Sequence, residues 1–163
     1  MIQGYTRIMV EIYGAWPAEP KLDLLEVLAT ARAKYVADRS LLDVALTDLK
    51  AKSAVISPEV ISAVRSLELK GWIYLKDTTV HSIFIDPSVS AAYGVLGLTE
   101  RIRDVVGGTG AVVETGLLQY LGRYVSDGIF GNVLWLGRNY KREFATEFAR
   151  LRADGKFRKS YAP

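Results

Sequence analysis

The segment VISPEVISAVRSLELKGWIYLKDTTVHSIFIDP, residues 55–87, carries the strongest structural signals in the sequence. Its Ser57 is a favourable N-cap residue, and Pro58 suits the first position of a helix because an N–H is not needed there. Apolar residues then recur with a helical period as far as Lys70, and Gly71 predicts the left-handed residue that ends a helix. This half of the segment therefore predicts one helix.

A β-hairpin is predicted directly after that helix. Two short apolar runs, residues 72–75 and 80–85, enclose the polar residues 76–79. Apolar and β-branched runs on either side of a short polar turn are typical of paired antiparallel strands. At the N-terminus, residues 5–13 alternate between two faces, which predicts a half-buried strand that pairs with this hairpin.

Two further helices are predicted upstream of the segment. Residues 22–36 carry Leu and Ala at helical spacing, and Ser40 followed three residues later by Asp43 is similar to a capping box. Pro17 and Pro20 predict a break before these helices, since proline cannot donate to a strand ladder.

The order helix, helix, turn, helix and hairpin over residues 22–86 resembles a winged helix-turn-helix. The passage Ser57-Pro58-Glu59-Val60 to Leu67-Glu68-Leu69-Lys70-Gly71-Trp72-Ile73 is similar to the second-helix-to-wing passage of many bacterial regulators and of some plasmid replication initiators. The resemblance implies DNA binding, with residues 58–70 as the recognition helix.

The predicted fold class is α+β, mainly helical, in three parts that are compatible with one compact domain. These are an N-terminal strand and linker (1–21), a winged-helix-like region (22–86) and a helical C-terminal region with a basic tail (87–163). The last part holds eleven of the 14 glycines. Its apolar spacing, for example over residues 117–125 and 139–154, predicts helices separated by glycine turns.

The positive charge of the chain is concentrated at its C-terminal end. The sequence has a net charge of +3, and residues 138–163 alone hold eight basic against three acidic residues. This tail interleaves its basic residues with Tyr140, Phe144, Phe148 and Phe157, and such a pattern can contact phosphates and stack on bases. In the alternative interpretation, the phenylalanines belong to the core and the basic residues form a solvated face.

These patterns predict a non-enzymatic nucleic-acid-binding protein, regulatory or replication-accessory, with duplex DNA as its partner. We expect Ser62 and Ser66 to contact base edges, since a hydroxyl can donate or accept. Phosphate contacts are expected from basic residues of the helix, the hairpin, the turn before the helix and the tail: Lys50, Lys52, Arg65, Lys70, Lys76, Arg150, Arg152, Lys156, Arg158 and Lys159. The predicted recognition helix has as many acidic as basic residues, which favours the alternative of a winged helix that binds another protein and no DNA.

The composition excludes several kinds of site. With no cysteine and one histidine, the chain lacks Cys/His zinc sites, disulfides and cysteine nucleophiles. His81 has no evident nucleophile beside it, and Gly107-Gly108-Thr109-Gly110 lacks the Gly-Lys-Ser/Thr of a phosphate-binding loop. We therefore expect no catalytic residue, no metal and no cofactor, and an enzyme built around His81 is the poorer alternative.

We expect a cytoplasmic protein without a membrane segment. Arg7 and Glu11 interrupt the first apolar run, and the uncharged stretch 128–137 is about half the length of a spanning helix. Half of the residues are hydrophobic, and the chain has three Trp and nine Tyr. This apolar surplus predicts a twofold dimer through the glycine-rich C-terminal half, unless one core absorbs these side chains.

Overall fold

The computed structural model describes residues 1–14 and 23–161. The chain divides into two compact units, Met1–Leu67 and Glu68–Pro163. The division falls inside the region 22–86 that the sequence pattern groups together. The α+β class is confirmed, because the described elements of the first unit are all helices and the second unit is built on a sheet.

The described part of the first unit contains four helices. They are α1 Ile2–Tyr13, α2 Leu24–Ala37, α3 Leu41–Ala51 and α4 Pro58–Arg65. The two helices predicted over residues 22–36 and after Ser40 are confirmed as α2 and α3. The break predicted at Pro17 and Pro20 lies outside the described residues, as does Leu22.

The strand predicted for residues 5–13 is wrong, because this stretch lies in α1. Tyr5, Ile8, Met9 and Ile12 are the buried residues of that helix. Their separations of three and four residues follow the helical period, which places them on one face. An alternating pattern over only nine residues does not exclude a helical period. In the helix, the larger apolar side chains share the buried face.

The helix α4 is shorter than the sequence pattern predicts. It begins at Pro58 after the N-cap Ser57, as predicted, but it ends at Arg65. Lys70 and Gly71 instead lie in the first strand of the second unit, where they pair with Thr115 and Glu114 of a neighbouring strand. Gly71 is therefore a strand residue and does not end a helix.

The second unit is built on a six-stranded sheet. Its elements are β1 Glu68–Asp77, β2 Ser82–Ile85, β3 Ala92–Leu96, α5 Ile102–Val106, β4 Ala111–Tyr120, β5 Arg123–Trp135, α6 Arg138–Ala153 and β6 Phe157–Arg158. β1 pairs with β2 and β4, β5 pairs with β4 and β3, and β2 pairs with β3. The first five strands therefore close into a barrel in the order β1-β2-β3-β5-β4, with β3 and β5 parallel.

The sheet corrects the prediction of a mainly helical C-terminal region. The hairpin predicted after residue 71 is confirmed as β1 and β2, whereas the winged-helix arrangement is not confirmed. The helix predicted over residues 117–125 is wrong, since β4 and β5 form an antiparallel hairpin there. Leu117 and Leu118 are adjacent and both buried, so the strand shows no alternation and its pattern is similar to that of a buried helix. The helix predicted over residues 139–154 is confirmed as α6.

The barrel interior absorbs part of the tryptophan and tyrosine surplus from which the sequence predicts a dimer. Trp72, Tyr74, Phe84 and Tyr124 are buried together in one hydrophobic cluster. Tyr74 and Phe84 stack with their ring centroids 5.0 Å apart. These side chains stabilise the fold of the unit and leave no surplus at their positions for an interface.

The helix α6 covers the outer face of β1, β2 and β3. Its Phe148 and Leu151 pack against Ile73, Ile83 and Ile85 in a second cluster. Burial of a side chain of this size contributes about 1.5–3 kcal/mol. The interpretation of the phenylalanine stripe as core is therefore confirmed for Phe148, with Phe144 partly buried against the same cluster, and α6 covers this face of the barrel.

Candidate nucleic-acid interface

Two of the predicted phosphate contacts in the first unit already have carboxylate partners. Lys52 Nζ lies 2.6 Å from Glu11 Oε1, and Arg65 Nη2 lies 3.4 Å from Asp43 Oδ1. A phosphate would have to displace these carboxylates, which reduces the gain from binding. Lys50 is exposed on α3.

The two serines proposed to contact bases lie on α4 and at its end. Ser62 is exposed, as the prediction requires. The hydroxyl of Ser66 instead donates a hydrogen bond of 2.7 Å to the carbonyl of Ala63. The exposed face of α4 therefore offers Ser62 and Arg65, whose guanidinium is paired.

Two basic residues of the second unit are also held by carboxylates. Lys70 Nζ lies 2.8 Å from Glu68 and 3.1 Å from Asp86, and its hydrogen bond to Glu68 is the main cause that raises the pKa of Lys70. The guanidinium of Arg150 lies 2.7 Å from Glu147 and 3.3 Å from Asp154. The charges of Lys70 and Arg150 are therefore already neutralised by neighbouring carboxylates.

The remaining predicted cations are exposed on the barrel unit. Lys76 and Arg152 line one open groove of about 460 Å³ at the side of α6. The guanidinium of Arg158 lies 5.8 Å from the ring centroid of Tyr93. Lys159 contacts the ring of Phe157 at 5.6 Å, and Lys156 is exposed without a described carboxylate partner.

A different cluster stands out where β5 leads into α6. Trp135 is 51% exposed and Tyr140 is 60% exposed, although side chains of this size are usually more deeply buried. Val133 and Leu134 beside them are exposed as well. We call residues 133–142, together with the glycine loop 107–110 beneath them, the β5–α6 corner.

The glycine loop supports two side chains of this corner. A β-carbon on Gly108 would lie 3.1 Å from Cη2 of Trp135, and one on Gly110 would lie 2.5 Å from Cε of Lys141. The N–H of Leu136 also donates a hydrogen bond of 2.9 Å to the Gly110 carbonyl. The loop is therefore a close support for Trp135 and Lys141, which explains a glycine run that carries no phosphate-loop signature.

Three cations of the corner have no ion pair within the part of the chain that the structure describes. Arg138, Lys141 and Arg142 lie in the first turns of α6, and their spacing of three and four residues places them close together. No acidic residue lies in the first turn of α6, and its N-cap Gly137 provides no side-chain cap. Positive charge thus accumulates at the positive end of the helix dipole, where an anion is favourable.

The sequence patterns identified the basic tail and its Tyr140 but not the exposed Trp135 just before it. Trp135 precedes the charged run by three residues, and the basic trio 138–142 follows at once. A tryptophan directly before a basic helix start is the signal that could have identified the corner. Only the structure shows that Trp72 is buried while Trp135 is exposed.

Comparison of the chain with protein-family models, curated proteins and solved structures finds no match in any of the three. The described residues contain no group of three or more His, Asp or Glu placed to hold a metal ion. Among the same residues, no helix has the length and apolar character needed to cross a membrane.

Proposed function

We propose that this protein binds single-stranded nucleic acid at the β5–α6 corner. The observation that carries the proposal is the exposure of Trp135 and Tyr140 beside three cations, Arg138, Lys141 and Arg142, that form no ion pair with a described carboxylate. Aromatic side chains stack on unpaired bases of any sequence, and unpaired cations contact the phosphates between them.

The barrel architecture supports this proposal. Five strands closed in the order β1-β2-β3-β5-β4, with a short helix between β3 and β4, resemble the OB-fold, whose barrels bind oligonucleotides and oligosaccharides. Such barrels commonly bind on the face of strands 2 and 3 and at the β1–β2 and β4–β5 loops. In this chain α6 covers the face of β2 and β3. We therefore expect the nucleic-acid strand to bind at the exposed β5–α6 corner.

Charge favours a nucleic acid over a second copy of the chain at the corner. Val133, Leu134 and Trp135 could form an apolar dimer contact, and this is the second candidate. A twofold contact, however, uses the same patch on both copies, so it would bring both sets of three cations into one interface, where they repel one another. A polyanion removes that repulsion.

Duplex DNA is the less favourable ligand. Stacking on Trp135 requires a base whose face is not already stacked on a neighbouring base. The interior of a duplex provides no such base. In the first unit, Lys52 and Arg65 are engaged with carboxylates. The double variant Lys52→Ala and Arg65→Ala is therefore expected to leave binding unchanged.

Fluorescence anisotropy of the full chain with labelled oligo(dT) tests the proposal. Trp135→Ala and Tyr140→Ala should each lower affinity about ten- to a hundredfold, since base stacking contributes roughly 1–3 kcal/mol per base. Val44→Ala is the control, because Val44 is 57% exposed, close to Trp135 and Tyr140, but lies on α3 in the first unit. Unchanged affinity of both aromatic variants would overturn the proposal, and a monomer-to-dimer shift on light scattering abolished by Trp135→Ala would favour the second candidate.

A further inference from the structure

A cavity of about 660 Å³ that is partly open to solvent lies at one end of the barrel, and none of its lining residues belongs to the β5–α6 corner. The β1–β2 turn, the end of β3 and the start of α5 line it. Val80, Val95 and Ile102 provide apolar walls, while the charged lining residues are Asp77, Glu100, Arg101 and Arg103. Its volume suits a ligand of nucleoside size, and ligand sites usually combine apolar walls with a few polar groups.

The carboxylate of Asp77 is held in place by two hydroxyl donors. Tyr74 Oη donates to Asp77 Oδ1 at 2.6 Å, and Ser82 Oγ donates to the same oxygen at 2.7 Å. Burial, followed by the hydrogen bond to Asp77, raises the pKa of Tyr74 far above its ordinary value, so the phenol stays a donor. The carboxylate is therefore fixed through one oxygen, and its Oδ2 accepts no hydrogen bond among the described residues.

Groups of complementary character stand beside this carboxylate. Arg103 Nε lies 3.9 Å from Asp77 Oδ2, which is an ion pair but too long for a hydrogen bond. The Nε2 atom of His81 is shielded from solvent and has no hydrogen-bond partner among the described residues. The cavity thus presents an acceptor on Asp77 and donors on Arg103.

We propose that this cavity binds a guanine base. Guanine offers N–H donors on one part of its edge and the O6 and N7 acceptors on the next, and arginine is the most frequent partner of O6 and N7. Asp77 accepts from the N–H groups, and Arg103 donates to the acceptors. Adenine, cytosine and uracil lack this combination of adjacent donors with an O6 and N7 pair. This proposal does not depend on nucleic-acid binding at the β5–α6 corner.

Isothermal titration of the full chain with GMP, AMP, CMP and UMP tests this assignment. GMP should bind at least tenfold more tightly than the other three nucleotides. Asp77→Asn and Arg103→Ala should each lower GMP affinity at least tenfold. The controls Asp104→Asn and Arg150→Ala make the same charge changes outside the cavity and should leave GMP affinity unchanged. Equal binding of all four nucleotides, or GMP binding unchanged in Arg103→Ala, overturns the proposal.

Two further measurements keep the test decisive. Arg103 is half exposed, so its variant should keep the circular-dichroism spectrum of the parent even where Asp77→Asn unfolds. An oligo(dT) strand with one central guanine separates the two sources of the base. If the guanine-containing strand binds more tightly than oligo(dT), and this gain is lost in Arg103→Ala but kept in Trp135→Ala, the cavity takes its guanine from a strand. If the two strands bind equally, the cavity takes a free nucleotide.

Discussion

The indole N–H of Trp72 on β1 donates a hydrogen bond of 3.0 Å to the backbone carbonyl of Thr115 on β4. Both residues are buried, and their strands are neighbours in the barrel. Trp72→Phe keeps an aromatic ring but leaves the carbonyl without this donor. Because an unsatisfied buried polar group costs about 1–3 kcal/mol, the free energy of unfolding should fall by at least this amount. Urea denaturation followed by circular dichroism measures the change.

Trp135→Phe is the matched control for this loss. Trp135 is half exposed and makes no described hydrogen bond through its indole, so the same change should alter stability by less than about 0.5 kcal/mol. Equal destabilisation by both variants would contradict the role of the Trp72 hydrogen bond.

The difference between these two tryptophans shows how far the sequence predicts the fold. Local signals identify α2, α3, α6 and the β1–β2 hairpin, because caps and helical spacing act within a few residues. The closure of the barrel depends on pairing between β3 and β5, whose paired residues are about 30 positions apart in the chain. The periodicity of a single segment does not report pairing between distant strands. Because Leu117 and Leu118 are both buried in β4, their spacing is also similar to that of a buried helix.

Docking of α6 onto the barrel depends on Leu151, which is fully buried. Leu151→Ala should lower the free energy of unfolding by about 2–5 kcal/mol, because it removes buried methyl groups and leaves a cavity. Leu134→Ala repeats the substitution at a side chain that is 67% exposed and should be nearly neutral. Thermal and urea denaturation of both variants decide the matter, and a neutral Leu151→Ala would mean that α6 contributes little to the barrel.

The support beneath Lys141 depends on glycine at position 110. Gly110 has φ +80°, and a β-carbon there would lie 2.5 Å from Cε of Lys141. Gly110→Ala should therefore cost about 1 kcal/mol or more through backbone strain alone, with a further loss from the displaced lysine. Gly71→Ala is the control, since its β-carbon would meet Val112 at an ordinary 3.6 Å. A Gly110 variant as stable as the Gly71 variant would exclude this strain.

The candidate site shows a second limit of sequence reasoning. Counting basic residues selects Lys52, Arg65, Lys70 and Arg150, yet the structure pairs each of them with a carboxylate. A carboxylate that neutralises a cation can lie far away in the chain, as the pair Lys52 and Glu11 shows. Net charge therefore predicts that the tail is basic, but only the fold shows which cations remain available.

Stability should depend on pH through His81. Burial, followed by the positive charges of Arg123 and Lys159, lowers the pKa of His81 from its ordinary value of 6.5. The unfolded chain then binds a proton more readily than the folded one, so stability is fully present above pH 6.5 and falls as the pH drops below it. Between pH 7 and pH 5, the parent should lose more unfolding free energy than His81→Gln. Parallel pH profiles would contradict this linkage.

Binding to oligo(dT) should weaken with salt in proportion to the number of phosphates contacted. Each neutralised phosphate on a single strand contributes about −0.7 to the slope of log K against log salt, so the three cations of the corner predict a slope of about −2. Arg142→Ala should reduce this slope to about −1.4, because one contact is lost. Arg150→Ala removes a cation of the same helix that two carboxylates already hold, and should leave the slope unchanged. Equal slopes for Arg142→Ala and the parent would place the phosphates elsewhere on the protein.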